Sequence, residues 1–196
     1  IPLPPLPEQQ RIVRILDEAF AAIAVARANA EKNLRNAREL FESYLNAVFL
    51  RNDLSFEWLT KKFGEAVTLQ RGFDLPTHKR VKGDFPLVSS SGIIDTHNNG
   101  VIQGPGVVTG RSGSIGNVFY VDENYWPLNT VLYVKDFHGN NPRFIYYLLK
   151  QFDLKRFASG TGVPTLNRNF IHNELVNIPP LREQQRVVSV LDQLTN

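Results

Sequence analysis

Cysteine and methionine are both missing from the 196 residues, no apolar run approaches the ~20 residues of a membrane span, and neither sign of charge dominates. Without cysteine there are no disulfides, no thiol chemistry and no thiolate metal ligands. No terminus has the pattern of a signal peptide, so a cytoplasmic location is the plain reading. The net charge is only +3, from 22 Lys and Arg against 19 Asp and Glu. Its placement says more: residues 1–50 carry six basic and six acidic side chains, 51–175 fourteen and eleven, and 176–196 two of each. The whole excess lies in the middle segment, mild for a nucleic-acid binder and weak evidence by itself.

The groups an enzyme needs are also missing. His78, His97, His138 and His172 have no paired metal-ligand spacing, and each falls in a loop-like stretch that reads as solvated surface. Gly110 to Gly116 lacks the Gly-Lys-Ser/Thr of a phosphate loop, and reads as tight turning between strands. Gly110-Arg111-Ser112-Gly113 is one residue short of a nucleophile elbow. Asn177-Ile178-Pro179-Pro180 has the wrong order for the Asn-Pro-Pro-aromatic motif of adenine methyltransferases. The sequence therefore predicts no catalytic residues, no metal and no cofactor in this chain.

What is present begins with a helix. After Pro4, Pro5 and Pro7, residues 8–50 contain neither glycine nor proline. Ile12, Leu16, Ala19, Ile23, Ala26, Ala30, Leu34, Ala37, Phe41, Tyr44 and Val48 recur at steps of three or four, averaging about 3.6, the helical period. Such a helix is longer than a small domain is wide, so its stripe needs a second helix to cover it. Small alanines in the middle allow close approach, and Phe41 and Tyr44 predict a splayed end. Glu31, Lys32, Arg35, Arg38, Glu39 and Glu42 read as a solvated face, with Glu31 and Arg35 at the favourable i, i+4 spacing. Arg51-Asn52-Asp53 ends the helix.

The head of this helix occurs twice. Residues 4–17 and 179–192 align at a constant offset of 175 with ten of fourteen positions identical, including Pro-Pro-Leu-x-Glu-Gln-Gln-Arg in both. The economical reading is a tandem repeat of one long helix and one globular domain, with the chain cut as one period from a longer protein. The missing initiator methionine agrees with that reading.

This doubled entry into a long helix, flanking a Trp-containing domain of roughly 125 residues, resembles the specificity subunit of type I restriction-modification enzymes. The resemblance covers the whole chain and is most specific at its two ends. It implies that residues 1–52 form a conserved helix for spacing, dimerisation and methyltransferase docking, that 53–175 form a DNA target-recognition domain, and that 176–196 begin the second conserved helix. It further implies that the domain reads one half of a split DNA target. The helix would pair as an antiparallel coiled coil, and S-adenosylmethionine would sit on a partner methyltransferase subunit, with the restriction subunit an indirect partner. In the fragment, a homodimer through the long helix is expected, and no membrane association.

Between the helices the pattern is β-rich, giving an α+β fold. Trp58, read as a buried anchor, opens a short helical turn and a strand ending at Arg71-Gly72. Phe73 to Gly83 reads as an exposed basic loop. Further strands are read at Phe85–Val88, Val107–Thr109, Asn117–Val121 and Val131–Val134. Then come a helix from Pro142 with Phe144, Ile145, Leu148, Leu149 and Phe152 on one face, a short turn from Phe170, and a strand at Val176–Ile178.

DNA reading needs Lys, Arg, hydroxyls or amides for phosphates, and Arg, Asn, Gln, Ser or Thr at loop tips for base edges. Loops of that mixture supply Arg71 and Gly72; Lys79, Arg80 and Lys82; Ser89, Ser90 and Ser91; Arg111, Ser112 and Ser114; Asn129 and Thr130; and Ser159, Thr161, Thr165, Asn167 and Arg168. Glycine beside them would let backbone approach the duplex. Arg71 and Arg111 fit guanine contacts, because Arg is the commonest bidentate partner of that base. Lys79, Arg80, Lys82, Arg156 and Arg168 fit phosphates. The competing reading is a protein-interaction scaffold that binds no DNA; duplex affinity with a negative salt slope separates the two.

Overall fold

The computed structural model describes residues 3–49, 58–160, 162 and 164–195, the last without its side chain. Thr161 and the helix terminator Arg51-Asn52-Asp53 lie outside the described residues. The chain divides into two compact units, one ending at Tyr44 and one starting at Leu45.

The first unit is most of helix α1, Leu6–Phe49. Its 44 residues correspond to about 66 Å at 1.5 Å per residue. Pro5 sets the start, its carbonyl accepting the Glu8 and Gln9 amides at 2.9 and 3.1 Å. The expected stripe is solvent-facing: Ile12 is 41% exposed, Leu16 46%, Ile23 62% and Leu34 53%. Ala19, Ala26, Ala30 and Ala37 are exposed, while Phe41, Tyr44 and Val48 are half-buried. Glu31 pairs backward with Arg27 at 3.0 Å rather than forward with Arg35, which corrects the sequence-based pairing. Both spacings are four residues, so spacing alone does not choose between them.

The second unit is α+β. Strand β1 (Leu59–Lys62) runs antiparallel to β11 (Leu175–Ile178), with Leu59 opposite Ile178. Between them lies a four-stranded antiparallel sheet in the order β2 (Thr68–Arg71), β8 (Val131–Asp136), β5 (Gly106–Gly110), β6 (Val118–Val121). A second sheet orders β4 (Gly92–His97), β3 (Phe85–Ser89) and the short β7 (Trp126–Pro127), the last pair parallel. Strand β4 was not read from the letters, because the consecutive Ile93 and Ile94 break the alternation of a half-buried strand, and both prove to be exposed. Val88, Val108, Val121, Tyr125, Val131 and Tyr133 fill the space these strands share. Each such burial is worth about 2 kcal/mol.

Short elements complete the unit: α2 (Phe63–Ala66), a 3-10 turn at Thr77–Lys79, α3 (Pro142–Gln151), a 3-10 turn at Leu154–Phe157, the hairpin β9 (Ala158–Ser159) with β10 (Thr165–Leu166), and α4 (Arg168–Asn173). Helix α3 starts where its letters predict. Asn141 caps the amides of Arg143 and Phe144 at 2.9 and 3.1 Å, Pro142 occupies the first turn, and Phe144, Ile145, Leu148 and Leu149 are buried. Helix α5 (Leu181–Thr195) packs on α3 within this same unit. Trp58, expected to be buried, is half-buried.

Candidate nucleic-acid interface

Five separate stretches of chain converge on one cleft of about 260 Å³. Arg71 comes from the end of β2, Arg111 from the loop after β5, Ser159 and Thr165 from the β9–β10 hairpin, and Asn167 and Arg168 from the start of α4. Leu132 and Leu166, both nearly fully buried, form its floor. The sequence offered the polar members as scattered loop tips. Their meeting depends on pairings that only the fold supplies.

Backbone bonds hold the rim. The Arg111 and Ser112 amides both donate to the Thr130 carbonyl at 2.8 and 3.1 Å, and the Leu166 amide donates to the Arg111 carbonyl at 2.7 Å. Ser112 bridges Thr165 across the same seam. In the loop from Gly110 to Gly116, Gly113 has a φ of +82°, and a Cβ on Gly110 would lie 2.0 Å from the Ser114 carbonyl oxygen. Only glycine fits both demands, which is the tight turning read from the sequence.

The three guanidiniums are each anchored through one terminal nitrogen. Arg71 Nη2 meets the Asp74 carboxylate at 3.2 Å, Arg111 Nη1 donates to the Asn129 carbonyl at 3.3 Å, and Arg168 Nη1 donates to the Leu69 carbonyl at 3.2 Å. A guanidinium has five N–H donors, so each keeps several for another acceptor. The Arg71–Asp74 pair is half-exposed on both sides and contributes little stability. Asp74 also accepts from the Asn129 side-chain amide, so one carboxylate orients two cleft-side groups. The sequence reading missed Asp74; its signal was the i, i+3 spacing from Arg71.

Several expected contact residues serve the scaffold instead. Gly72 is buried, and a Cβ there would lie 2.2 Å from the Leu128 carbonyl oxygen, so its close approach is to the protein's own backbone. Ser89 and Ser90 are buried in the β3–β4 turn. The Ser90 amide donates to Thr130 Oγ1 at 3.3 Å, and Ser91, exposed, shares a 2.8 Å hydroxyl contact with Ser89. Asn129 and Thr130 are half-buried and committed to the bonds above, whereas Ser114 is exposed.

The basic loop lies at the opposite end of the β3–β4 hairpin from the serine turn. The five residue steps of β4 put the two ends roughly 17 Å apart. Lys79 and Lys82 are exposed, and Arg80 is half-buried with Nε donating to the Leu75 carbonyl at 3.3 Å. Arg156 sits in a different cleft beside Phe152 and Val176, paired with Glu174 and lying 4.5 Å over the Phe157 ring.

Two histidines were misread as surface groups. His97 is 6% exposed, and its Nδ1 lies 2.9 Å from the Val81 carbonyl, which ties the basic loop to β4. His172 is half-buried and its Nε2 accepts the Leu69 amide at 3.0 Å. Strand β2 is an edge strand, so Leu69 has an outward amide and carbonyl that no neighbour pairs. His172 takes the first and Arg168 the second. Burial lowers the His172 pKa from its ordinary 6.5, and the Arg168 charge lowers it further, both favouring the neutral ring that can accept. Among the described residues no group of three or more His, Asp or Glu could hold a metal, and no helix is long and apolar enough to cross a membrane.

Residues 56–196 match the model of the type I restriction modification DNA specificity domain. The whole chain aligns at 23% identity with 52% of the EcoprrI specificity subunit of a type I restriction enzyme from Escherichia coli. Among solved structures, a chain from a type I R-M system studied for complex assembly and conformational transition superposes over the whole chain with a TM-score of 0.78 at 20% identity, covering 53% of that protein. The HsdS subunit from Thermoanaerobacter tengcongensis gives 0.68 at 19% identity, covering 52% of its length. The chain thus spans about half the length of the relatives it matches, and it belongs to the type I restriction-modification DNA specificity family.

Proposed function

We propose that the second unit reads one half of a bipartite double-stranded DNA target and that the chain performs no chemistry itself. The observation that carries this reading is the convergence of Arg71, Arg111 and Arg168 with Ser159, Thr165 and Asn167 on a single cleft. Three permanent cations around one concavity focus a positive potential, and their spare donors match guanine O6 and N7 or phosphate oxygens. Arg71 and Arg111 take base edges. Arg168, Lys79 and Lys82 take phosphates, the lysines one hairpin length away from the cleft. Gly72, Ser89, Ser90, Asn129 and Thr130 support these contacts from beneath.

Helix α1 is the spacer. Its exposed stripe pairs with a second long helix, and in the isolated fragment that means an antiparallel homodimer. A methyltransferase subunit carrying S-adenosylmethionine docks on the helices and does the methylation, and a restriction subunit joins through it. The setting is the cytoplasm.

Duplex binding measured between 50 and 200 mM salt, with the methyltransferase subunit present, tests the reading. Affinity falls steeply with salt, by powers of ten for several phosphate contacts. Replacing Arg71, Arg111 and Arg168 together by Ala abolishes selectivity for one sequence over scrambled DNA. Equal binding by the triple variant overturns the assignment of the cleft.

A further inference from the structure

A carboxylate stands beside the arginines of the cleft. Asp74 follows the end of β2 by three residues, and its side chain is 65% exposed. Two backbone bonds hold the chain just before it: the Gly72 amide donates to the Val131 carbonyl at 3.1 Å, and the Phe73 amide to the Pro127 carbonyl at 2.8 Å. The segment on the far side of these bonds is the turn that carries Asn129, closed by the Val131 amide on the Leu128 carbonyl at 3.0 Å. The backbone therefore brings Asp74 and Asn129 together, and the Asn129 side-chain amide donates to Asp74 Oδ1. Arg71 Nη2 approaches the same Oδ1 at 3.2 Å and Oδ2 at 3.4 Å.

Neither stability nor affinity accounts for this acid. Its pair with Arg71 is half-exposed on both sides and adds little to folding. Beside a polyanion, a negative side chain repels phosphates and lowers affinity for every sequence alike. What a carboxylate offers a DNA-facing surface is acceptance without donation, so it bonds the cytosine N4 amino group and opposes the thymine O4. Its two oxygens have about four acceptor positions. Arg71 and Asn129 draw chiefly on Oδ1, and Oδ2 keeps room for a further donor.

We propose that Asp74 is a specificity residue, its carboxylate accepting the N4 amino group of the cytosine paired with the guanine that Arg71 reads. The inference rests on the reading of the cleft as the surface that meets the bases. Arg71 Nη2 carries two hydrogens; one is directed at Asp74, and the other is available to guanine O6. In a G·C pair the cytosine N4 lies next to that O6, because the two are hydrogen-bonded to each other. A carboxylate held on Nη2 is thereby brought to the N4 side of the pair. Arginine and aspartate then read both strands of one base pair together. An A·T pair in the same place sets the adenine N6 donor against the guanidinium and the thymine O4 acceptor against the carboxylate, and is rejected on both strands. Asn129 is the positioning residue, since its bond to Oδ1 keeps the carboxylate from swinging with the arginine.

The test uses the chain assembled with its methyltransferase subunit. Selection from a randomised duplex library gives the motif, and Arg71→Ala marks the pair it reads by the guanine that is no longer enriched. In a duplex of that motif the partner cytosine is replaced by 2-pyrimidinone, which lacks the amino group and still pairs with guanine. Dissociation constants are measured on both duplexes for the parent and for Asp74→Ala, whose fold is checked by circular dichroism. The weaker pairing of the analogue is common to both chains and cancels in the ratio. Loss of the amino group should weaken the parent about tenfold more than Asp74→Ala. Coupling of about fivefold or more supports the proposal. Smaller coupling overturns it, including the case in which Asp74 only holds Arg71 in place and the analogue costs both chains alike. A parent that enriches no motif, or a motif unchanged by Arg71→Ala, overturns the reading of the cleft and this inference with it.

Discussion

Helix α5 and the head of α1 carry nearly the same letters in different surroundings. Gln184, Val187 and Leu191 are buried, whereas Ile12 and Leu16, which correspond to Val187 and Leu191, are exposed. The shared letters explain what is shared, namely the proline-set start, the glutamine that reaches back and the Glu–Arg pair. They do not explain stability, which for α5 comes from burying Gln184, Val187 and Leu191 in a unit where the helix packs on α3. A motif of this kind fixes a local shape and leaves its energetic worth to whatever packs on it.

The sharpest contrast comes from paired leucine truncations. Leu191 is fully buried, so Leu191→Ala should cost the second unit about 2–5 kcal/mol in urea unfolding, while Leu16→Ala should cost under about 0.5 kcal/mol. Equal losses would mean that the head of α1 is already covered in solution. Next come the glutamines. Gln184→Ala removes a buried side chain and leaves the half-buried Asn141 amide without its acceptor, and should cost about 1–3 kcal/mol, against a few tenths for Gln9→Ala, whose partner is a local carbonyl. The carboxylates follow. Asp192 and Arg143 are each about one-third exposed, so Asp192→Ala should cost about 1 kcal/mol and Asp17→Ala nothing measurable.

The smallest effect is in pH. Helix α1 has no histidine, whereas His172 in the second unit must stay neutral to accept the Leu69 amide. Its folded pKa lies below the unfolded value, so the unfolded chain binds the extra proton near pH 6.5, and stability falls as pH drops below that point. Melting followed from pH 7.5 to 5 should show this decline, and His172→Gln, which still offers an acceptor, should flatten it.

Local signals were legible where local physics decides. The stripe of α1, the Asn141-Pro142 start of α3, and the β-branched runs that became β5 and β8 follow from period and capping. The cleft was legible only as ingredients. Arg71, Arg111 and Arg168 are far apart in sequence, and the antiparallel pairings of β2 with β8 and of β8 with β5, plus the seam from Arg111 to Leu166, bring them together. Burial of Gly72, Ser89 and Ser90, and the internal roles of His97 and His172, were misread for the same reason. Each is satisfied by a partner distant in sequence or by packing, and loop-like letters carry no record of that.

The most direct measurement is selection from a randomised duplex library by the chain assembled with its methyltransferase subunit. The parent should enrich one short motif. Arg71→Ala and Arg111→Ala should each erase preference at a different position of it, and Lys79→Ala should weaken all sequences evenly. An unchanged motif from both arginine variants would contradict the reading of the cleft as the surface that meets the bases.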